Sequence, residues 1–192
     1  MIPESSPTNL TRKNCRLMEI ETAKKQLRKL EAAEGYLLLG MPKQSLRELH
    51  AIRNDCGFSF DWSSLKGEAC RQLGRFDEAI ESFQAAYELR PDDVHILSGL
   101  AWCYKRTDQL HRAIAMSEEA YQADPTQAVL LYNLSCYYAL ADDKPQALSW
   151  LGRALRMDSS LCRLIPHESD FDGLRSDADF RFIVEAADGI DG

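Results

Sequence analysis

The sequence predicts an all-α fold, a solenoid of antiparallel helix pairs. Two observations support this prediction. Small and large apolar residues recur in register every 34 residues, and a fixed period of about 20–50 residues is typical of stacked structural repeats. Each period also divides into two segments with helical patterning, separated by a turn residue, and no strand is predicted. A single helix pair cannot bury its own apolar face, so we expect a stack with closed ends.

The clearest copy of the repeat lies between Gly67 and Pro91, and matching residues follow 34 and 68 positions later. The three sets are Gly67, Cys70, Gly74, Ala79, Phe83, Ala86 and Pro91; Ala101, Tyr104, Asp108, Ala113, Ser117, Ala120 and Pro125; and Ser135, Tyr138, Asp142, Ala147, Leu151, Ala154 and Ser159. Small residues let two helices approach closely, and large ones fill the space between pairs. A weaker copy begins at Ala33.

Each predicted element follows from this register. Apolar residues near heptad spacing predict one long helix from about Thr11 to Leu39. Six further helices are predicted at 60–73, 76–89, 94–107, 110–123, 128–141 and 144–157. Gly74 suits a helix end, while Pro91-Asp92-Asp93 and Pro125-Thr126 break the chain and offer N-caps to the helices that follow. The expected organisation is a flexible N-terminus (1–10), the long helix with a degenerate repeat (11–57), three repeats (60–91, 94–125, 128–159) and a C-terminal capping segment (160–188).

The repeat resembles the tetratricopeptide repeat family, whose W-x2-L-G-x2-Y, A-x3-F, P signature has the same period. The resemblance is specific from Gly67 to Pro125. It implies a right-handed α-solenoid in which the first helix of each pair lines a concave groove that binds a peptide or partner protein. It therefore implies a non-catalytic adaptor or scaffold.

The C-terminal run from Ser169 to Phe180 resembles the D-F-x-x-L-R-x-D-x-x-F segment that closes many bacterial tetratricopeptide arrays. The resemblance implies a bacterial origin and an end cap. Four apolar side chains are expected to cover the last helix pair: Phe171, Leu174, Phe180 and Ile183.

Helical angles within the middle repeat select candidate groove residues. Leu97, Leu100 and Tyr104 form one apolar stripe, and Trp102 lies away from it. Trp102 is either a groove anchor or packed under a neighbouring helix. Stepping by 34 residues gives the full candidate set: Arg71, Gln72, His95, Ser98, Trp102, Lys105, Arg106, Tyr132, Asn133 and Cys136.

These residue types predict the chemistry of the partner. An extended or helical peptide would place an apolar side chain against Trp102 and Tyr132. An acidic group would lie near Arg71, Lys105 and Arg106. The alternative is that these cations form a solvated face.

Composition excludes other classes of function. The chain has 192 residues and a net charge of −7, whereas nucleic acids and anionic membranes select a positive surplus. Neither a membrane span nor a secretory signal is predicted, so we expect a cytoplasmic protein. A homo-oligomer, formed through the basic N-terminal helix, stays open.

Catalysis is not expected. Phosphate-loop, dinucleotide, hydrolase and zinc-protease motifs are absent from the sequence. The six cysteines form no C-x-x-C pair, so neither a metal site nor a cofactor is predicted. A thiol enzyme using Cys136 is a minor alternative, and a small chaperone of bacterial secretion or cargo proteins is the second alternative to a general adaptor.

Overall fold

The computed structural model describes residues 9–52 and 59–188, and within these ranges it contains only helices and their connections. The helices are α1 (Asn9–Leu38), α2 (Pro42–His50), α3 (Ser59–Gln72), α4 (Phe76–Tyr87), α5 (Val94–Arg106), α6 (Leu110–Ala123), α7 (Ala128–Leu140), α8 (Lys144–Met157) and α9 (Ala178–Asp188). Two 3₁₀ segments, Ser159–His167 and Ser169–Leu174, connect α8 to α9. None of these helices is long and apolar enough to cross a membrane.

The seven helices predicted from the sequence are confirmed, with ends within two residues of the expected ones. Two details differ. Asn9 and Leu10 belong to α1 rather than to a flexible N-terminus, while residues 1–8 and the predicted end of the degenerate repeat at Gly57 lie outside the described residues. The apolar row on α1 packs only in its C-terminal half, because Leu30 and Leu37 are buried whereas Ile20 and Leu27 are exposed.

Helix pairs are connected by turns that also repeat every 34 residues. Gly40, Gly74, Asp108 and Asp142 all adopt positive φ, at 66°, 73°, 59° and 57°. At each turn the next residue's N–H reaches back to a carbonyl five residues earlier, for example Gln109 to Tyr104 at 2.9 Å. This pattern is the Schellman helix ending, which requires a left-handed residue. Glycine adopts that conformation freely, and aspartate tolerates it better than most residues.

Two of the predicted N-caps are present and a third is replaced. The side chains of Asp93 and Asp143 accept hydrogen bonds from the first turns of α5 and α8, at 3.1 and 3.2 Å. Thr126 does not cap α7, because its N–H and hydroxyl both donate to Asp124. Gln127 occupies the cap position of α7 without a side-chain hydrogen bond.

Phe83 is the packing centre of the first two full repeats. Its ring is fully buried and lies between the glycines of two neighbouring first helices, Gly67 of α3 and Gly99 of α5. A β-carbon at Gly67 would lie 2.6 Å from the ring, and one at Gly99 would lie 2.9 Å from it. The missing side chains therefore set how closely α4 approaches α3 and α5.

The C-terminal segment folds back onto the last repeat. Phe171 is fully buried, with its ring centroid 5.8 Å from that of Tyr132 on α7 and 5.4 Å from that of Phe180 on α9. Leu174 and Ile183 are half-buried against the same core. The expected burial of these four side chains is confirmed, and the segment covers the groove side of α7 in addition to the end of the stack.

Candidate binding groove

The first helices of the pairs form one face of the molecule, and two depressions lie on it. The central depression has a volume of about 210 Å³ and is lined by residues of α3, α5 and α7: Glu68, Arg71, His95, Ser98, Gly99, Trp102, Asn133 and Tyr137. The N-terminal depression lies between α1 and α3 and has a volume of about 240 Å³. Five of the ten predicted groove residues line the central depression.

Trp102 is half-buried on α5 and combines both roles considered for it. Its ring packs edge-on against Phe76 of α4, with centroids 5.3 Å apart. The guanidinium carbons of Arg71 and Arg106 lie 5.0 and 5.6 Å from the ring centroid. Two cations thus flank an aromatic ring that still lines the central depression, an arrangement stabilised by the ring quadrupole.

Arg71 is already paired within its own helix. Its Nε and Nη2 donate to the two carboxylate oxygens of Glu68 at 2.7 and 2.6 Å, and Gln72 donates to the same carboxylate. Burial by itself raises the pKa of Glu68, but the hydrogen bonds from Arg71 and Gln72 and the guanidinium charge outweigh it and lower the pKa. Glu68 is therefore ionised at neutral pH and compensates the charge of Arg71.

Lys105 is paired with a distant part of the chain. Its ammonium contacts the carboxylate of Asp170, a buried residue of the C-terminal 3₁₀ segment. Arg106 is exposed and forms no ion pair with the residues that the structure describes. The predicted acid-binding trio is thus divided, since two of its three cations are bound by the chain's own carboxylates.

Tyr132 and Cys136 do not lie in an open groove, and this part of the sequence prediction was wrong. They are 4% and 3% exposed because the segment Ser169–Leu174 covers this part of α7. Phe171 packs on Tyr132 and Asp170 contacts Lys105. An apolar side chain and an acidic group, the chemistry predicted for a partner at this position, are supplied here by the chain itself.

The remaining predicted residues divide between the depression and its surroundings. Asn133 and Ser98 are half-buried in its wall, and His95 is exposed with its ring edge-on to Phe83 at 6.4 Å. Gln72 is exposed and does not line it. Sequence reasoning missed Gly99 and Tyr137, although the 34-residue register places Gly99 between Leu65 and Asn133.

Comparison with known proteins identifies the repeat. Residues 60–126 match the sequence profile of the tetratricopeptide repeat family. The chain contains tetratricopeptide repeats. The phagocyte signaling-impaired protein of Drosophila pseudoobscura pseudoobscura is 28% identical over 93 residues, which are 48% of this chain and 10% of that protein. The chain therefore spans only a tenth of this relative's length.

Solved structures of other proteins share the tetratricopeptide fold of this chain. MamA from Desulfovibrio magneticus RS-1 is 18% identical, with a TM-score of 0.66 over 88% of this chain and 98% of that one. A MamA RS-1 double mutant gives 0.72 at 18% identity over 87% and 96%. YrrB, described as a tetratricopeptide protein with an unusual peptide-binding site, gives 0.59 at 21% identity over 66% of each chain.

Four cysteines in the described part of this tetratricopeptide chain are buried free thiols: Cys70, Cys103, Cys136 and Cys162. Burial raises the pKa of Cys103 to about 12 and also raises that of Cys136, beside Glu168 and Asp170. A thiol is a weak nucleophile until it ionises, so this environment disfavours the thiol chemistry considered for Cys136. Cys15 and Cys56 lie outside the residues whose side chains are described.

One group of potential metal ligands lies beneath the C-terminal segment. Ligand atoms of Cys136, Glu168 and Asp170 lie within 4.8 Å of one another. The Lys105 ammonium contacts the Asp170 carboxylate, and Glu168 accepts a hydrogen bond from the backbone N–H of Asp170 at 3.2 Å. These contacts already satisfy both carboxylates in part, and the arrangement fits a structural ion pair better than a metal centre.

Proposed function

We propose that this chain is a non-catalytic protein–protein interaction module that binds a peptide segment of a partner protein on the face formed by its first helices, and so acts as an adaptor or scaffold. The observation that carries the proposal is the central depression, where the half-exposed Trp102 ring lies among polar groups. Large aromatic side chains in such positions dominate the binding energy of many interfaces. The tetratricopeptide repeats, and the peptide-binding site named for YrrB, support the same function.

The depression suits an apolar anchor with few polar contacts. A side chain of the peptide would pack on Trp102, beside the half-buried Tyr137 wall of α7. The Asn133 amide offers a donor and an acceptor for peptide backbone. Arg106 is the cation available to an acidic group of the partner, because Arg71 and Lys105 are paired within the chain.

The test compares two tryptophan substitutions. Partner segments are isolated by affinity capture and mapped, and binding of the mapped peptide is measured by calorimetry. Trp102→Ala should weaken binding by about 2 kcal/mol or more, roughly 30-fold in Kd. Trp150→Ala on α8 is the matched control, because Trp150 is also half-buried but stacks on Tyr121 and Arg153, outside the depression.

Circular dichroism establishes that both variants stay folded. A folded Trp102→Ala protein that binds the peptide as tightly as the wild type would contradict the proposal. Loss of binding in both variants would also count against it, since the effect would then not be specific to the groove.

A further inference from the structure

The N-terminal depression occupies the same face as the central one, one repeat earlier. Its α1 residues Leu27, Leu30, Glu31 and Glu34 precede Asp61, Ser64, Leu65 and Glu68 of α3 by 34 positions, and these precede His95, Ser98, Gly99 and Trp102 of α5 by another 34. Equivalent positions of stacked repeats face the same side. The two depressions are therefore successive parts of one surface, which we call the groove.

The two parts of the groove differ in chemistry. The N-terminal depression has an apolar floor formed by Leu30, which is buried, Leu65, which is half-buried, and Leu27, which is 43% exposed. Its rim carries exposed carboxylates from Glu31, Glu34 and Asp61 and no cation. These carboxylates form no ion pair with any residue in the described ranges.

Basic side chains near this rim are engaged elsewhere or lie on other faces. Lys29 donates to the backbone carbonyl of Ala51 at 2.6 Å, and Lys66 lies over the Trp62 ring at 5.0 Å. Lys24, Lys25 and Arg28 are exposed on α1 but do not line the depression. Three like charges around an apolar floor repel one another, and a cation from a partner would relieve that repulsion.

We propose that the N-terminal depression binds an apolar side chain directly next to a lysine or arginine in the partner peptide. The apolar side chain covers the leucine floor, and the basic group lies among the three carboxylates. This inference rests on the proposed function and gives the bound peptide a direction. The first helices of neighbouring repeats are spaced by about 10 Å, so the basic-apolar pair lies roughly three to five extended residues from the anchor on Trp102.

The experiment selects peptides from a random display library on the full chain and on two charge variants. The triple variant Glu31→Gln, Glu34→Gln, Asp61→Asn removes the rim charges. The matched control, Glu81→Gln, Glu88→Gln, Asp92→Asn, makes the same charge change at exposed positions outside both depressions. Wild type and control should enrich a lysine or arginine beside an apolar residue, and the rim variant should not.

Affinities of a selected peptide then distinguish this inference from the proposed function. The rim variant should bind about tenfold more weakly than the control at low salt, and the difference should shrink as salt is added. Peptides that need Trp102 but show no basic preference would overturn the inference and leave the proposed function intact. Peptides whose binding is insensitive to Trp102→Ala would overturn both. Self-association of the free chain that the rim variant abolishes would overturn the choice of partner, because a second copy would then be the occupant.

Discussion

Replacing Gly67 with alanine tests whether the packing of Phe83 sets the spacing of the groove helices. The new β-carbon would lie 2.6, 2.7 and 2.9 Å from three ring carbons of Phe83, whereas carbon atoms pack best at about 3.5–4.0 Å. Overpacking of this kind costs about 1–3 kcal/mol. Alanine returns up to about 1 kcal/mol in helix propensity, so we expect a net loss of about 1–2 kcal/mol and a lower Tm by a few degrees.

Urea unfolding followed by far-UV circular dichroism measures this loss, and Gly35→Ala is its control. A β-carbon at Gly35 on α1 meets nothing within 4 Å, so the same substitution should raise the free energy of unfolding by up to about 1 kcal/mol. Adding Phe83→Leu to Gly67→Ala should cost less than the sum of the two single changes, because the clash is relieved. A Gly67→Ala protein that is stabilised like Gly35→Ala would refute the reasoning.

Three other predictions follow from the turns, the thiols and the C-terminal ion pairs. Asp108→Gly should raise the unfolding free energy by about 0.5–1 kcal/mol, because aspartate pays a conformational cost at φ 59° that glycine avoids; no gain in urea unfolding would contradict this. Cys103 should resist a disulfide reagent at pH 8 in the native protein and react once unfolded, because burial raises its pKa to about 12; rapid native labelling of a variant that retains only this cysteine would contradict it. Hydrogen bonds from Lys144 and the backbone lower the pKa of Asp177 in the folded chain, so their stabilisation is complete above the unfolded pKa of about 3.9 and is lost as the pH falls through the lower folded value. Lys144→Gln should flatten this acid dependence of unfolding; an unchanged profile would show that the pair contributes nothing.

Local features of the fold could be predicted from the sequence because the repeat encodes them in one stretch of chain. A small residue at Gly67 and a large one at Phe83 predict close helix pairing, and the 34-residue recurrence of Gly74 and Asp108 marks the turns. The pairing of Arg71 with Glu68 was also accessible, because residues three apart share one face of a helix.

The closure of the last repeat could not be predicted in this way. Lys105 and Asp170 are 65 residues apart and lie outside any common register, so a periodic pattern contains no information about their contact. Stepping from Tyr132 and Cys136 along the repeat implied an open surface, since the pattern treats every repeat alike. The N-terminal depression, by contrast, was one further step of the same register from Trp102 and Glu68 to Glu34.

The segment Ser169–Leu174 also determines how this architecture can lengthen. Because Phe171 and Asp170 engage side chains of α5 and α7, the terminator is specific to the final repeat and its immediate predecessor. A duplication inserted between α2 and α3 would add one unit of free surface and leave the terminator in place. A duplication after α8 would separate the terminator from its binding residues and leave an apolar end unprotected, so growth of the array is tolerated on one side only.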